Sequence, residues 1–199
     1  MLKNDRWIKE QAAQGMIQPF VSEMVREIEN GPMGEPLKVL SYGAGSYGYD
    51  LRLSPKDFLI FRHVPGTVMN PKHFNAANLE PVRLHHDEDG SYFILPSHSY
   101  GLGVALERLR MPPNITAICL GKSTYARLGI IANITPVEAA WEGHLTLEFS
   151  NSSGADCRVY AYEGVCQLLF FEGDPCDTTY QDRAGKYQGQ AEVVVTAKV

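Results

Sequence analysis

From residue 37 onward the apolar positions alternate with polar ones at a period of two, in short runs punctuated by Gly, Pro, Asn or Asp. That spacing puts successive side chains on opposite faces of an extended chain and predicts strands. The runs are 38–42, 49–53, 58–61, 92–95, 101–106, 115–120, 144–150, 158–162, 165–171 and 191–195. Two stretches with helical spacing precede them. Residues 4–14 have Asn4 as a cap and Gly15 as a stop, and residues 21–29 carry Val21, Met24, Val25 and Ile28 before Asn30-Gly31. About ten short strands after two small helices predict a mainly β protein: a sandwich, jelly roll or distorted barrel. No internal repeat or low-complexity linker divides the chain, so residues 1–199 are expected to form one domain, with N-terminal helices over 1–30 and a tail over 180–199.

Composition narrows the function classes. Hydrophobic residues make up 44% and charged residues 21%, ordinary values for a water-soluble globular protein. The apolar runs are far shorter than the roughly 20 residues of a membrane span. The polar start MLKNDRWIKEQ lacks the apolar core of a secretion signal, so a cytoplasmic location without membrane contact is expected. Cys119, Cys157, Cys166 and Cys176 are scattered without a C-x-x-C pair and read as reduced structural thiols. The net charge of −5 and the lack of any Lys/Arg run argue against a nucleic-acid polymer as partner. A small anion needs only a local cluster, so that class stays open.

Three motif-like stretches resolve as structural. Gly43-Ala44-Gly45-Ser46-Tyr47-Gly48 has the spacing of a dinucleotide fingerprint, but that fingerprint requires a following helix whose N-terminus holds the pyrophosphate. The next residues, YDLRL, alternate like a strand, so a glycine-rich turn is expected. His86-Asp87-Glu88 has the H-x-E pattern of zinc deaminases, yet Pro175-Cys176 lacks the second cysteine which that site requires. Residues 84–90 therefore read as a hairpin turn. His63, His73, His98 and His144 show no ligand spacing either, and no zinc site is expected. Met111-Pro112-Pro113-Asn114 reads as a rigid turn.

The chemistry-bearing residues concentrate in 121–151, GKSTYARLGIIANITPVEAAWEGHLTLEFSN. The apolar run 115–120 ends at Gly121, and Ser123 is a good helix cap. One helical turn there places Ser123 and Arg127 on one face, where free backbone N–H groups, two hydroxyls and Lys122 could converge on a phosphate. A capped turn with two solvated cations fits the same residues. In 144–150, Leu145, Leu147 and Phe149 share one face and His144, Thr146, Glu148 and Ser150 the other. Glu148 is then either a solvent-facing strand residue or, beside Thr146, part of a pocket wall where burial raises its pKa toward the range of proton shuttling. Glu138, in the loop before Trp141, suits a sugar hydroxyl or an ordinary turn. The glycine-punctuated segment 180–190 reads either as a loose terminal loop or as a lid over phosphates.

Together GKSTYARLG at 121–129, WEGHLTLEFSN at 141–151, GKYQGQ at 185–190 and YDLRL at 49–53 resemble the dCTP deaminase family of the dUTPase-like superfamily. The resemblance implies a distorted β-barrel or jelly-roll-like dUTPase-type fold, assembled as a homotrimer with active sites between subunits. It implies hydrolysis of dCTP to dUTP and ammonia, feeding thymidylate synthesis, without zinc and with Mg2+ carried on the substrate triphosphate. By the same resemblance Glu148 is the catalytic acid/base, and Ser123 and Arg127 hold the water and stabilise the tetrahedral intermediate. The segment Lys122, Ser123, Thr124, Tyr125, Ala126 and Arg127 matches the nucleotide-binding turn. Glu138 matches the deoxyribose contact, Thr146 and Leu147 line the base, and Gln167, Tyr180, Lys186 and Gln190 match triphosphate contacts.

Lys122 stands where many family members have Arg, which keeps the charge without the bidentate geometry. Related readings are a bifunctional enzyme carrying dCTP through to dUMP and pyrophosphate, and a nucleotide-binding module that has lost catalysis. A plain dUTPase is disfavoured because Ala139-Ala140 follow Glu138 where that family has a further acid, and because a strand glutamate occupies position 148.

Overall fold

The computed structural model describes residues 1–29, 36–62, 65, 66 and 68–198. In chain order the elements are α1 (Asp5–Ala13), β1 (Ile17–Gln18), β2 (Val25–Ile28), β3 (Leu37–Gly45), β4 (Gly48–Phe61), β5 (Leu79–Pro81), β6 (His85–Asp87) and β7 (Gly90–Leu95). They continue as β8 (Tyr100–Arg110), β9 (Ile115–Gly121), α2 (Ser123–Ala126), β10 (Ile130–Asn133), β11 (Glu142–Asn151), β12 (Cys157–Tyr160) and β13 (Gly164–Glu172). The main path of the large sheet runs β10-β11-β8-β4-β13-β9, and a small sheet, β12-β7-β6, accompanies it. The large sheet curls until its edge strand β10 lies beside its other edge strand β9. The result is the mainly β, distorted half-barrel expected from the alternating pattern.

The inner face of the curl is the core. Leu51 and Leu53 of β4, Phe149 of β11 and Phe170 of β13 have no exposed surface. Phe58 lies 5.0 Å from Phe93 and 5.6 Å from Phe149, ring centre to ring centre. Burying each such side chain contributes about 1.5–3 kcal/mol, so these strands are fixed by their alternate residues.

Most local expectations hold. Asn4 caps α1 by accepting from the Trp7 N–H. Within 43–48 the turn is Ser46-Tyr47, and Gly45 pairs with Gly48 across the β3–β4 hairpin. Gly48 sits at φ +138°, and a Cβ there would lie 2.6 Å from the Leu168 carbonyl, so the glycine is required by the turn rather than by a dinucleotide. Asp87 pairs with Gly90 in the β6–β7 hairpin, and the Ile115 N–H donates to Pro112 O in the proline turn.

Several expectations fail for identifiable reasons. The stretch 21–29 is not a helix; Val25–Ile28 pairs with β3, Val25 opposite Tyr42 and Ile28 opposite Leu37. Nine residues are too few for local periodicity to outweigh a waiting sheet edge. Its Asn30-Gly31 stop lies outside the described residues, as does His63. Runs 49–53 and 58–61 are one strand, β4, whose pairing with β8 shifts register between Leu53 and Phe58. Pro55, which cannot donate to the ladder, stands in that shift. The stretch 191–195 is no strand; the tail instead meets β11 at a single bridge, Gly143 to Gln190. The described residues hold thirteen strands rather than about ten.

Candidate active site

β11 is the floor of the site. It lies between β10 and β8, with Asn133 and Leu102 directly opposite Glu148 on either side and Tyr100 opposite Ser150. Tyr100 is therefore a diagonal neighbour of Glu148 on the same face. The Asn133 and Tyr100 side chains are the polar groups that act on the Glu148 carboxyl.

Burial pushes the Glu148 pKa up, and these two donors pull it back only in part, so it stays above the ordinary carboxylate value. Burial and the facing carboxylate push Tyr100 up to about 12, which keeps its hydroxyl a donor across the working pH range.

Glu148 opens into a cavity of about 330 Å³, within the size range of small-molecule sites. Tyr100, Glu138, Trp141, Thr146, Tyr180 and Gln190 also line it. Burial alternates along β11 without a break, and the register shift opposite His144 and Thr146 places its extra residues on β8. Leu145, Leu147 and Phe149 share the buried face as expected, and Leu145 also lines the cavity. Leu147 is 1% exposed and its side chain lies in the core, so only its backbone is left to meet a ligand.

Glu138 follows a clamp: Val137 exchanges two backbone hydrogen bonds with Ala117, at 2.8 and 2.9 Å. Arg183 of the tail pairs with the Glu138 carboxylate. Trp141 Nε1 donates to Tyr187 O at 3.0 Å, and the Tyr187 N–H donates to the Tyr180 hydroxyl at 3.0 Å. The segment 180–198 is thus laid across the cavity by specific bonds. Lys186 is exposed and donates to the Lys198 carbonyl, away from the cavity.

The turn 122–127 is elsewhere; none of its residues lines the cavity. The N-cap of α2 is Lys122 rather than Ser123, because the extended backbone ends at Lys122 and Ser123 is already helical. Lys122 Nζ turns back to Asp50 Oδ2 at 2.6 Å and Ser41 Oγ at 2.9 Å, and Gln167 Nε2 reaches Asp50 Oδ1 at 2.8 Å. Ser123, Thr124, Ala126 and Arg127 are exposed, with Arg127 Nη1 donating to Ser123 O at 3.0 Å. Tyr125 is buried, its hydroxyl accepting from the Tyr160 N–H at 2.9 Å, which suits a structural anchor.

The expected residues therefore form three groups in one chain: the Glu148 cavity, the Lys122–Gln167 cluster and the exposed turn. Among the described residues, no three His, Cys, Asp or Glu side chains converge as a metal site.

The family model for dCTP deaminase-like proteins matches residues 2–173. The chain belongs to the dCTP deaminase-like family. It is 47% identical over 196 residues to the dCTP deaminase of Alcanivorax borkumensis, covering 98% of this chain and 97% of that one. Identity to the dCTP deaminase of Azoarcus sp. is likewise 47% over 196 residues, with the same coverage. The Acinetobacter baumannii enzyme of that name is 45% identical over the same length, again covering 98% of this chain and 97% of that one. Among solved structures, the 2'-deoxycytidine 5'-triphosphate deaminase of Agrobacterium tumefaciens superposes with a TM-score of 0.54 at 18% identity, over 86% of this chain and 48% of that one. That likeness concerns the fold, and this chain spans about half of that protein's length.

Within this family chain, three polar contacts escaped the sequence reading: Tyr100, Asn133 and Asp50. Tyr100 and Asn133 reach Glu148 only through strand pairing, which leaves no local signal. Asp50 did leave one, an acid at the second position of the alternating run YDLRL.

Proposed function

We propose that the protein hydrolyses dCTP to dUTP and ammonia. The observation that carries this reading is the half-buried Glu148, with its raised pKa, on the wall of an aromatic-lined cavity. The membership of the family and the identity to enzymes named dCTP deaminase support the choice of substrate.

In the proposed reaction Glu148 takes a proton from water as the oxygen attacks C4 of the cytosine ring. It then delivers protons to N3 and to the departing amine, so that one water is consumed and one ammonia leaves. A carboxyl with a raised pKa can both accept and return a proton near neutral pH. Tyr100 and Asn133 favour its ionised form before the proton transfer. Water activation is assigned to Glu148, without zinc, and Mg2+ enters with the triphosphate.

Ser123 and Arg127 are proposed to stabilise the tetrahedral intermediate from a neighbouring copy. Ile118, Leu120, Leu128 and Ile131 are 43%, 49%, 56% and 54% exposed on and around β9 and β10, beside that turn. Such an apolar patch marks an interaction surface, and it supports a homotrimer with sites between subunits. Among the described residues no helix is long and apolar enough to cross a membrane, and the proposed setting is the cytoplasm.

The test is ammonia release from dCTP with Mg2+, read together with product chromatography. Equimolar dUTP and ammonia are expected, and Glu148→Gln should abolish turnover while holding dCTP affinity within about tenfold, some 1.4 kcal/mol. Tight dCTP binding without ammonia in the unmodified protein would reduce it to a binding module. dUMP and pyrophosphate appearing with the ammonia would identify the bifunctional enzyme.

A further inference from the structure

Asp50 is 4% exposed, and each of its carboxylate oxygens is engaged by a different side chain: Oδ2 by Lys122 and Oδ1 by Gln167. We propose that Asp50 is a positioning residue for the triphosphate subsite, fixing the Lys122 ammonium and the Gln167 amide so that their remaining N–H groups present to phosphate. The proposal rests on the reading of Lys122 and Gln167 as phosphate contacts.

The two side chains arrive from separate strands. Gln167 of β13 stands directly opposite Asp50 of β4 in the sheet register. Lys122 follows the end of β9, the strand on the other side of β13. Nothing in α2 itself orients Lys122, which caps the helix without a side-chain cap bond. A lysine stem has about 2 kcal/mol of rotamer entropy, so an unrestrained ammonium there would sample many positions. Asp50 and Ser41 take two of its three donors, leaving the third for a ligand. Asp50 likewise takes one of the two Gln167 Nε2 protons and leaves the other.

A buried carboxylate also needs compensation, and the ammonium supplies it. Asp50 and Lys122 therefore hold each other in place before any nucleotide arrives. Contacts ordered in advance cost less on binding. The cluster lies on the sheet face shared with Leu120, which pairs with Gln167 on β9 and belongs to the exposed apolar patch. A phosphate bound there would lie at the edge of the proposed subunit contact.

The test compares dCTP and dCMP binding by calorimetry with Mg2+, in the full-length protein carrying Glu148→Gln. Adding Asp50→Asn should weaken dCTP binding about tenfold or more and leave dCMP binding within about twofold. Equal losses for both nucleotides would make Asp50 merely structural, and unchanged or tighter dCTP binding would make it a restraint on Lys122; either overturns the proposal. Should Asp50→Asn fail to fold, Lys122→Met with Asp50→Asn removes both buried charges together and is compared with Lys122→Met alone. The pair should bind dCTP no more weakly than Lys122→Met, because the effect through Lys122 is already gone and the Asn oxygen can still accept from Gln167. A further loss beyond about threefold overturns the proposal. If Lys122→Met itself leaves dCTP affinity unchanged, the phosphate reading of Lys122 fails, and this proposal fails with it. Deamination by the unmodified protein reports separately on the proposed activity.

Discussion

Gln190 donates from Nε2 to the Thr146 hydroxyl at 2.6 Å, two positions along β11 from Glu148. The Val195 N–H reaches the same oxygen at 3.2 Å, so the tail is bonded onto the cavity wall itself. Gly143 makes this approach possible: at φ +142°, a Cβ there would lie 2.7 Å from the Gln190 nitrogen.

Gln190→Ala should raise the KM for dCTP by about three- to tenfold, the size of one lost side-chain hydrogen bond, with thermal stability nearly unchanged. Gly143→Ala should have a similar effect by displacing the tail backbone. Steady-state kinetics read both variants. Unchanged KM in both would remove the tail from the binding site.

Tyr100→Phe removes a hydroxyl that favours the ionised Glu148 carboxylate and so holds its pKa down. The pKa should rise further in the variant, so the acid limb of the kcat/KM profile should move to higher pH by about one unit. Activity lost equally at every pH would instead mean that Tyr100 shapes the cavity without tuning Glu148.

Leu120→Glu with Ile131→Glu should convert the proposed trimer into monomers in sedimentation and suppress deamination, while the core stays folded. Both side chains are about half exposed in one chain, where such replacements ordinarily cost less than about 0.5 kcal/mol. An active monomer would overturn the assignment of Ser123 and Arg127 to a neighbouring copy.

Glu163 is 7% exposed and accepts from the Leu40 N–H at 2.6 Å. Burial, offset in part by that hydrogen bond, pushes its pKa from 4.5 up to about 7. A pKa raised by folding stabilises below the unfolded value, and the contribution is lost as pH rises through the folded one. Stability should therefore fall between about pH 4.5 and 7. Glu163→Gln keeps the acceptor for Leu40 and should remove that loss, stabilising by on the order of 1–2 kcal/mol at pH 8 and little at pH 5. Thermal melts at the two pH values measure it; a variant less stable at pH 8 would mean the ionised form is favoured.

Much of the molecule could be read from the chain because alternation is a local property. The strands at 115–120, 144–150 and 165–171 lie within β9, β11 and β13. The helix at 4–14 also had its cap and stop in sequence. The region 21–29 was misread because helical spacing over so few residues is also compatible with a strand, and only pairing with β3 decides between them. The irregularity of β8 opposite His144 and Thr146 is likewise invisible to a strict period of two.

The sequence by itself determined the mainly β class, the family motifs and the acid at position 148, since these rest on residue identity and short-range order. Tertiary structure alone decided that Glu148 is half-buried and faced by Asn133 and Tyr100, because strand register joins residues 15 and 48 positions away from it. It also decided that Lys122 points to Asp50 while Ser123 and Arg127 face outward. One motif of adjacent residues is thus split between two environments, since its lysine caps a helix at a strand end and the following turn lies on the surface.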